Sequence, residues 1–203
     1  MIMKILVTSV SRSDFGILSN LIESLFKDKF FNIELLITGE HNSKLLGYTK
    51  KEVFKSFKKK VKLLKISDNK NISSKTILIK SSEILYKISD YYKKISPDLV
   101  LLLGDRYETL LLAYAALICD KPIAHIHGGE KTIGSNDDIF RHCISKISNI
   151  HFVERNEYKK RLVQLGENKN KIYVVGSLGR ENIKKIKFQK KNMLEKKYKF
   201  KFF

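Results

Sequence analysis

The chain has little cysteine, no long apolar run, no glycine-rich turn where a dinucleotide site needs one, and too few acids to balance its bases. Its cysteines are Cys119 and Cys143 alone. Each sits in an apolar helix-like context, which reads as a reduced core thiol of a cytoplasmic protein and not as a disulfide framework. No window approaches the ~18 uninterrupted apolar residues of a membrane span, so no membrane partner is expected. The opening MIMKILVTS lacks the separate charged, apolar and cleavage regions of a signal peptide and reads as a first strand. A dinucleotide fingerprint places its glycines directly after that strand. Here the first glycine is Gly16, already inside the expected helix, which argues against NAD or FAD.

The shortage of acids gives 21 Asp and Glu against 40 Lys and Arg, a formal net charge of +19 over 203 residues. Such a charge can attract polyanions or phosphorylated ligands. However, lysine is spread along nearly every expected helix, and aromatics do not interleave with arginine as a single-stranded nucleic acid surface requires. The charge is therefore read as solvated surface, with no nucleic-acid partner. There is no internal repeat and no long linker. The hydrophobic share of 43% suffices for a real core, and the length fits one large domain or two small ones.

What is present is an alternation of short apolar strands and amphipathic helices. Ile2 to Thr8 reads as a strand, and a hydroxyl-rich turn, Ser9 to Asp14, leads into a helix over Phe15 to Lys27 capped by Ser13 or Asp14. Ile17, Leu18, Leu21, Ile22 and Leu25 share one face of it. A second strand runs Asn32 to Thr38, and the order strand, helix, strand implies a right-handed parallel crossover. A short helix over Thr49 to Lys58, a third strand over Val61 to Ile66 and a loop over Asp68 to Ser74 follow. A long helix capped by Ser73 or Ser74 then runs to Ile95. The fourth strand is Leu99 to Leu103. The helix Tyr107 to Cys119 is apolar nearly all round and is expected to be deeply buried. The remaining pattern gives strands Pro122 to Ile126, Asn149 to Val153 and Ile172 to Val175. Helices are expected over Asp137 to Ser148, over Asn156 to Leu165 and from Arg180 onward. Residues 1–187 thus read as one α/β domain, a Rossmann-like parallel sheet with helices on both faces. Residues 188–203 read as a Lys- and aromatic-rich tail, whose alternation from Tyr198 to Phe202 is strand-like.

The chemistry concentrates between residues 99 and 142. Two successive strands end in small residues followed by ionisable ones, Gly104-Asp105-Arg106 and His127-Gly128-Gly129-Glu130. In an open parallel sheet those ends lie on one edge, where ligands bind. Asp105 can either cap the next helix or bind sugar hydroxyls and move a proton. In an extended strand His125 and His127 share a face. A metal site there needs three or four ligands, and no further His or Cys pair is on offer, so no metal is expected. The two glycines instead let a ligand approach backbone N–H groups, with His127 and Glu130 as acid, base or hydrogen-bonding groups. Asp137 and Asp138 stand at a helix start, where acids suit the dipole. Arg141, a turn later, can hold one of them and leave the other for the cleft. Arg12, the one cation in the first turn, can meet a phosphate at the same edge or lie solvated in the loop.

In order, Ser11-Arg12-Ser13-Asp14-Phe15-Gly16, Gly104-Asp105-Arg106, His125-Ile126-His127-Gly128-Gly129-Glu130, Asp137-Asp138 with Arg141-His142, and Val175-Gly176-Ser177 with Gly179 and Asn182 resemble the UDP-N-acetylglucosamine 2-epimerase family. The similarity is to its hydrolysing branch, which feeds sialic and legionaminic acid synthesis. The resemblance spans residues 4 to 187 and implies the N-terminal half of a glycosyltransferase-B-like fold, two Rossmann-like domains around a cleft. It implies cofactor-free chemistry on a nucleotide sugar. Loss of the C2 proton expels UDP and leaves a 2-acetamidoglucal, and water then adds with the opposite sense at C2 to release N-acetylmannosamine. By position it implies Asp105, His127, Glu130 and Asp137 as catalytic residues. Arg12, Asp14, His125, Asp138, Arg141, His142, Gly176 and Ser177 are implied to bind substrate or support the cleft. Related epimerases often carry a glutamate where this chain has His127. Family members are roughly twice as long, so a truncated form with little activity of its own is expected. A GDP- or UDP-linked diacetamido sugar is the alternative substrate, and a non-catalytic sugar-nucleotide-binding remnant the alternative role. The family resemblance also suggests a homodimer through helices of the first domain.

Overall fold

A computed structural model describes residues 2–44, 47–57, 60–66, 73–185 and 189–201. Seven parallel strands form one sheet in the order β3-β2-β1-β4-β5-β6-β7. They are β1 (Met3–Ser9), β2 (Phe31–Ile37), β3 (Val61–Leu63), β4 (Leu99–Leu103), β5 (Ile123–Ile126), β6 (Ile150–Val153) and β7 (Ile172–Val174). The helices are α1 (Arg12–Lys27), α2 (Lys50–Phe57), α3 (Ser74–Ile95), α4 (Tyr107–Ile118), α5 (Asp137–Lys146), α6 (Asn156–Gln164), α7 (Leu178–Lys185) and α8 (Lys191–Tyr198).

The strands bury both faces, and successive residues feed two cores. Ile5, Val7, Ile33, Leu35, Ile37, Leu99, Leu101 and Leu103 pack under α1 and α2. Their neighbours Leu6, Leu36, Val100, Leu102 and Ile123 pack under α3, α4 and α5. Burial on both faces is why the strands read as continuous apolar runs. The order reverses between β1 and β4, which pair directly. Crossovers leave in opposite directions there and open a crevice at the carboxyl edge. Asn182 of α7 donates to the Gly16 carbonyl and bonds Asn20, so the segment after β7 returns to pack on α1.

Several expectations shift. The cap of α1 is Ser11, whose hydroxyl accepts from the Asp14 N–H at 3.3 Å; the helix therefore starts before Ser13 and Asp14. Ser73 caps α3 as its spacing predicts. Helix α4 is not buried all round: Tyr114, Leu117 and Ile118 are 50%, 47% and 64% exposed. Part of α4 meets the sheet, α3 and α5, and among the described residues no layer covers the rest. Cys143 is exposed on α5, whereas Cys119 is half-buried, and both are free thiols; the neighbouring Ile144 takes the core side instead. The tail forms α8, which ends at Tyr198 with Lys199 in the left-handed region, and 199–201 carry no strand where the alternation predicts one, Phe202 lying outside the described residues. Most of the loop expected over Asp68 to Ser74, and the expected domain boundary at 187, lie outside the described residues. No described helix is long and apolar enough to cross a membrane.

Candidate active site

The sequence-predicted residues other than His125 follow the carboxyl ends of β1, β4, β5 and β7, on one edge of the sheet. Gly104, at φ +87°, turns the chain out of β4. Asp105 does not cap α4, because the N-cap position belongs to Arg106, which makes no side-chain cap bond. The Asp105 carboxylate is instead ion-paired with the Arg141 guanidinium. Arg141 reaches it from α5, its side chain only 5% exposed. It also lies 3.8 Å from Asp138 Oδ1 and donates to Thr132 Oγ1 at 3.1 Å. Asp138 accepts from the Thr132 N–H at 2.9 Å and faces His142 Nε2 at 3.5 Å. Asp138, Arg141 and His142 thus tie the loop after β5 to the start of α5. Asp137 has no side-chain partner among the described residues, so Arg141 holds one carboxylate of the adjacent pair and leaves the other free.

His125 lies in the interior, behind the edge that the other residues share. It is 0% exposed. Its register opposite His151 and beside Leu102 puts it on the face that α5 covers. Nε2 lies 2.8 Å from the Gly104 carbonyl, which can only accept. That fixes the proton on Nε2 and leaves Nδ1 to accept from Ser145 Oγ at 3.1 Å. Burial pushes its pKa down to about 3, so the ring is neutral. His125 therefore pins the strand end that carries Asp105.

His127 does not share that face. Its N–H still extends the sheet by donating to the Phe152 carbonyl at 3.1 Å, but its φ of 68° is left-handed. The turn re-aims the ring between two carboxylates. Nδ1 lies 3.4 Å from Glu130 Oε1, and Nε2 lies 3.4 Å from Glu154 Oε1. These are ion-pair distances that are not aligned as hydrogen bonds, and His127 Nε2 and Glu130 Oε1 are buried without a hydrogen-bond partner. Burial is the main force on both groups. It pushes Glu130 up to about 7, with Arg141 opposing and Glu154 and Asp105 adding to the rise. It pulls His127 below its ordinary value, against the charges of Glu154 and Asp105. The paired glycines make this packing possible. At Gly129, φ +73°, a side chain would drive into the Tyr158 carbonyl oxygen and come within 3.1 Å of Leu162 Cγ.

A second group surrounds Arg106, which pairs with Glu40 and lies 3.5 Å from Glu108 Oε2. Glu108 is 2% exposed. Asp14, buried under the same edge, is pushed up to about 6 by burial, with Ser11 and Arg106 opposing. Arg12 is apart from both groups. It lines an open cleft of about 420 Å³ with Gly47, Tyr48, Thr49, Lys51 and Glu52, 3.9 Å from Glu52 Oε2. Gly176, at φ +81°, and Ser177 form the turn from β7 into α7.

Sequence reasoning missed Glu154. It follows the end of β6 as Asp105 follows β4, and the same rule would have found it. His127, Glu130 and Glu154 each place a ring nitrogen or carboxylate oxygen within 4.8 Å of the others, so the end of β6 adds a third ionisable group to the two that follow β5.

Matching this chain to known proteins decides its kinship. Residues 23–202 match the family described as UDP-N-acetylglucosamine 2-epimerase. The chain belongs to that family. It is 41% identical over 196 residues to the GDP/UDP-N,N'-diacetylbacillosamine 2-epimerase (hydrolyzing) of Campylobacter jejuni, covering 95% of this chain and 50% of that protein. It is 36% identical to the polysialic acid biosynthesis protein P7 of Escherichia coli, over 96% of this chain and 50% of the relative. Among solved structures, the Neisseria meningitidis UDP-GlcNAc 2-epimerase bound to UDP-GlcNAc superposes with a TM-score of 0.77 at 24% identity, over 90% of this chain and 49% of that one. The chain spans about half the length of the curated relatives it matches. The parallel sheet with helices on both faces is therefore one half of a glycosyltransferase-B-like epimerase fold. A lipopolysaccharide galactosyltransferase matches it more loosely, with a TM-score of 0.54.

Proposed function

We propose that this chain carries the N-terminal part of the active site of a hydrolysing nucleotide-sugar 2-epimerase. The observation that carries this reading is the convergence of Asp105–Arg141 with His127–Glu130 at one sheet edge in an epimerase-family chain. Glu130, held at about 7, is poised to take or give a proton near neutrality. Beside it stands neutral His127. In the first step the C2–H bond breaks and its proton passes to this pair. The C1–O bond to the nucleotide breaks with its electrons leaving on the diphosphate, and a C1=C2 double bond forms. In the second step the oxygen of water joins C1 and a proton returns to C2 from the opposite face. Asp105, oriented by Arg141, suits a sugar hydroxyl, and unpaired Asp137 is a further candidate for proton transfer. These steps need no cofactor.

The substrate class follows the relatives. UDP-N-acetylglucosamine is the substrate expected from the motifs. A diacetamido sugar on UDP or GDP is the second reading, favoured by the 41% identity to the Campylobacter enzyme. Exposed Tyr114, Leu117 and Ile118 on α4 and Leu78 and Tyr86 on α3 support a homodimer through these helices. The test is incubation of the chain with each sugar nucleotide in deuterated water, alone and with the remaining half of a relative. Nucleotide release with one deuterium at C2 of the free sugar is expected only when both halves are present. The nucleotide released separates UDP from GDP. Deuterium-free hydrolysis, or no turnover with both halves present, overturns the reading.

A further inference from the structure

The group around His127 contains a residue that neither the motifs nor the relatives' names assign. Glu154 enters from the end of β6 (Ile150–Val153), while Glu130 comes from the loop after β5. They approach opposite nitrogens of one imidazole, Nε2 and Nδ1, each at 3.4 Å. The register explains the meeting. Ile126 pairs with Phe152, and His127 donates to the Phe152 carbonyl, so one residue past Ile126 and two past Phe152 the two side chains come together. His127 holds a left-handed φ of 68°, a conformation that persists in a non-glycine residue only where its surroundings over-determine it. Carboxylates on both sides of the ring supply that determination.

We propose that Glu154 is the positioning residue for His127, holding the ring between two carboxylates and fixing which of its nitrogens carries the proton. The inference rests on His127 as the acid–base group proposed above. The charged groups facing His127 are Glu130 from the same loop, Asp105 from the end of β4, Arg141 from α5 (Asp137–Lys146) and Glu154 from the end of β6. Asp105 is already spent on Arg141, and Glu130 carries a proton for much of the neutral range. Glu154 is therefore the carboxylate left to balance burial of the imidazolium, and among these groups it exerts the largest raising effect. A protonated His127 would donate from Nε2 to Glu154 and present Nδ1 to Glu130, giving a proton path with a defined direction. In the neutral ring, Glu154 favours the tautomer with its proton on Nε2.

Nitrogen-15 NMR of the histidine-labelled 203-residue chain tests this, because long-range correlations report the tautomer and midpoint of each imidazole. Glu154→Gln should lower the proton affinity of His127 about tenfold, one pH unit, and shift its neutral tautomer away from Nε2–H. Glu154→Asp, with a shorter reach, should fall between wild type and Glu154→Gln. A His127 midpoint within ~0.2 pH units of wild type in Glu154→Gln, with an unchanged tautomer, overturns the assignment. The neutral signals of His125 and His151 report that each variant is folded. If Glu154→Gln does not fold, Glu154→Asp carries the test by the same criterion. None of these measurements needs turnover, so failure of the epimerase reading and failure of this one are separable. Where turnover is present, Glu154→Gln should lower kcat and move the acid limb of its pH profile with little change in KM.

Discussion

Replacing Glu130 by glutamine should make the protein more stable, and only at higher pH. Burial raises the Glu130 carboxyl from 4.5 to about 7 in the folded chain. The folded state therefore binds this proton more tightly than the unfolded state. The stability that comes with the proton is fully present below pH 4.5 and is lost as the pH rises through about 7. At pH ~8 the wild type bears the whole cost of a buried, ionised side chain, because His127, held below its ordinary value, is then neutral and offers no charge. The shift corresponds to about 3 kcal/mol at ~1.4 kcal/mol per unit. With the side chain 23% exposed, solvent screening brings the expected gain to about 1–3 kcal/mol. Glutamine keeps the shape and cannot ionise. Urea unfolding of both proteins at pH ~5, ~6, ~7 and ~8 should show matched stability at the acid end and a widening gap above it. At pH ~8 the variant should melt about 2–10 °C higher. A gap that does not change with pH, or a variant less stable at pH ~8, would refute the reasoning.

Other substitutions probe the supports. His125→Leu strands the Gly104 carbonyl and the Ser145 hydroxyl and should cost about 1–3 kcal/mol for each buried group left unpaired, measured by urea unfolding. Because the folded ring stays neutral while the unfolded histidine takes up a proton near 6.5, that loss should be smaller by just under ~1 kcal/mol at pH ~6 than at pH ~8. Arg141→Met takes the guanidinium from Asp105, whose side chain is 24% exposed, while Asp138 keeps the Thr132 N–H, and should cost about 1–3 kcal/mol. Adding Asp105→Asn to it should recover part of that cost, and a double-mutant cycle with no coupling would dissolve the pair. Gly129→Ala should destabilise by ~2 kcal/mol or more, because the new Cβ meets the Tyr158 carbonyl. Gly134→Ala, equally left-handed but in open space, should lose only ~1 kcal/mol.

The sequence by itself determined the element order, the parallel crossover and the strand ends where ionisable residues gather. Those signals are local: an apolar run, a capping serine such as Ser73, a glycine such as Gly104. It also placed Arg141 within reach of Asp138, because spacing along one helix fixes who can meet. Tertiary structure alone decided the rest. Strand pairing turned His125 toward Ser145 and Gly104, although along the strand it looked equivalent to His127. The left-handed turn at His127 broke the alternation on which their shared face depended. The strand-end rule could place Glu154 on the edge, but only the pairing of β6 with β5 set it beside His127, a neighbour relation that no window of sequence contains. The outer side of α4 (Tyr107–Ile118) is as apolar as its inner side, so composition could not tell that only one of them meets the sheet. Local pattern fixes which residues can be strand or helix, and the register between distant strands fixes which side chains face one another at the edge.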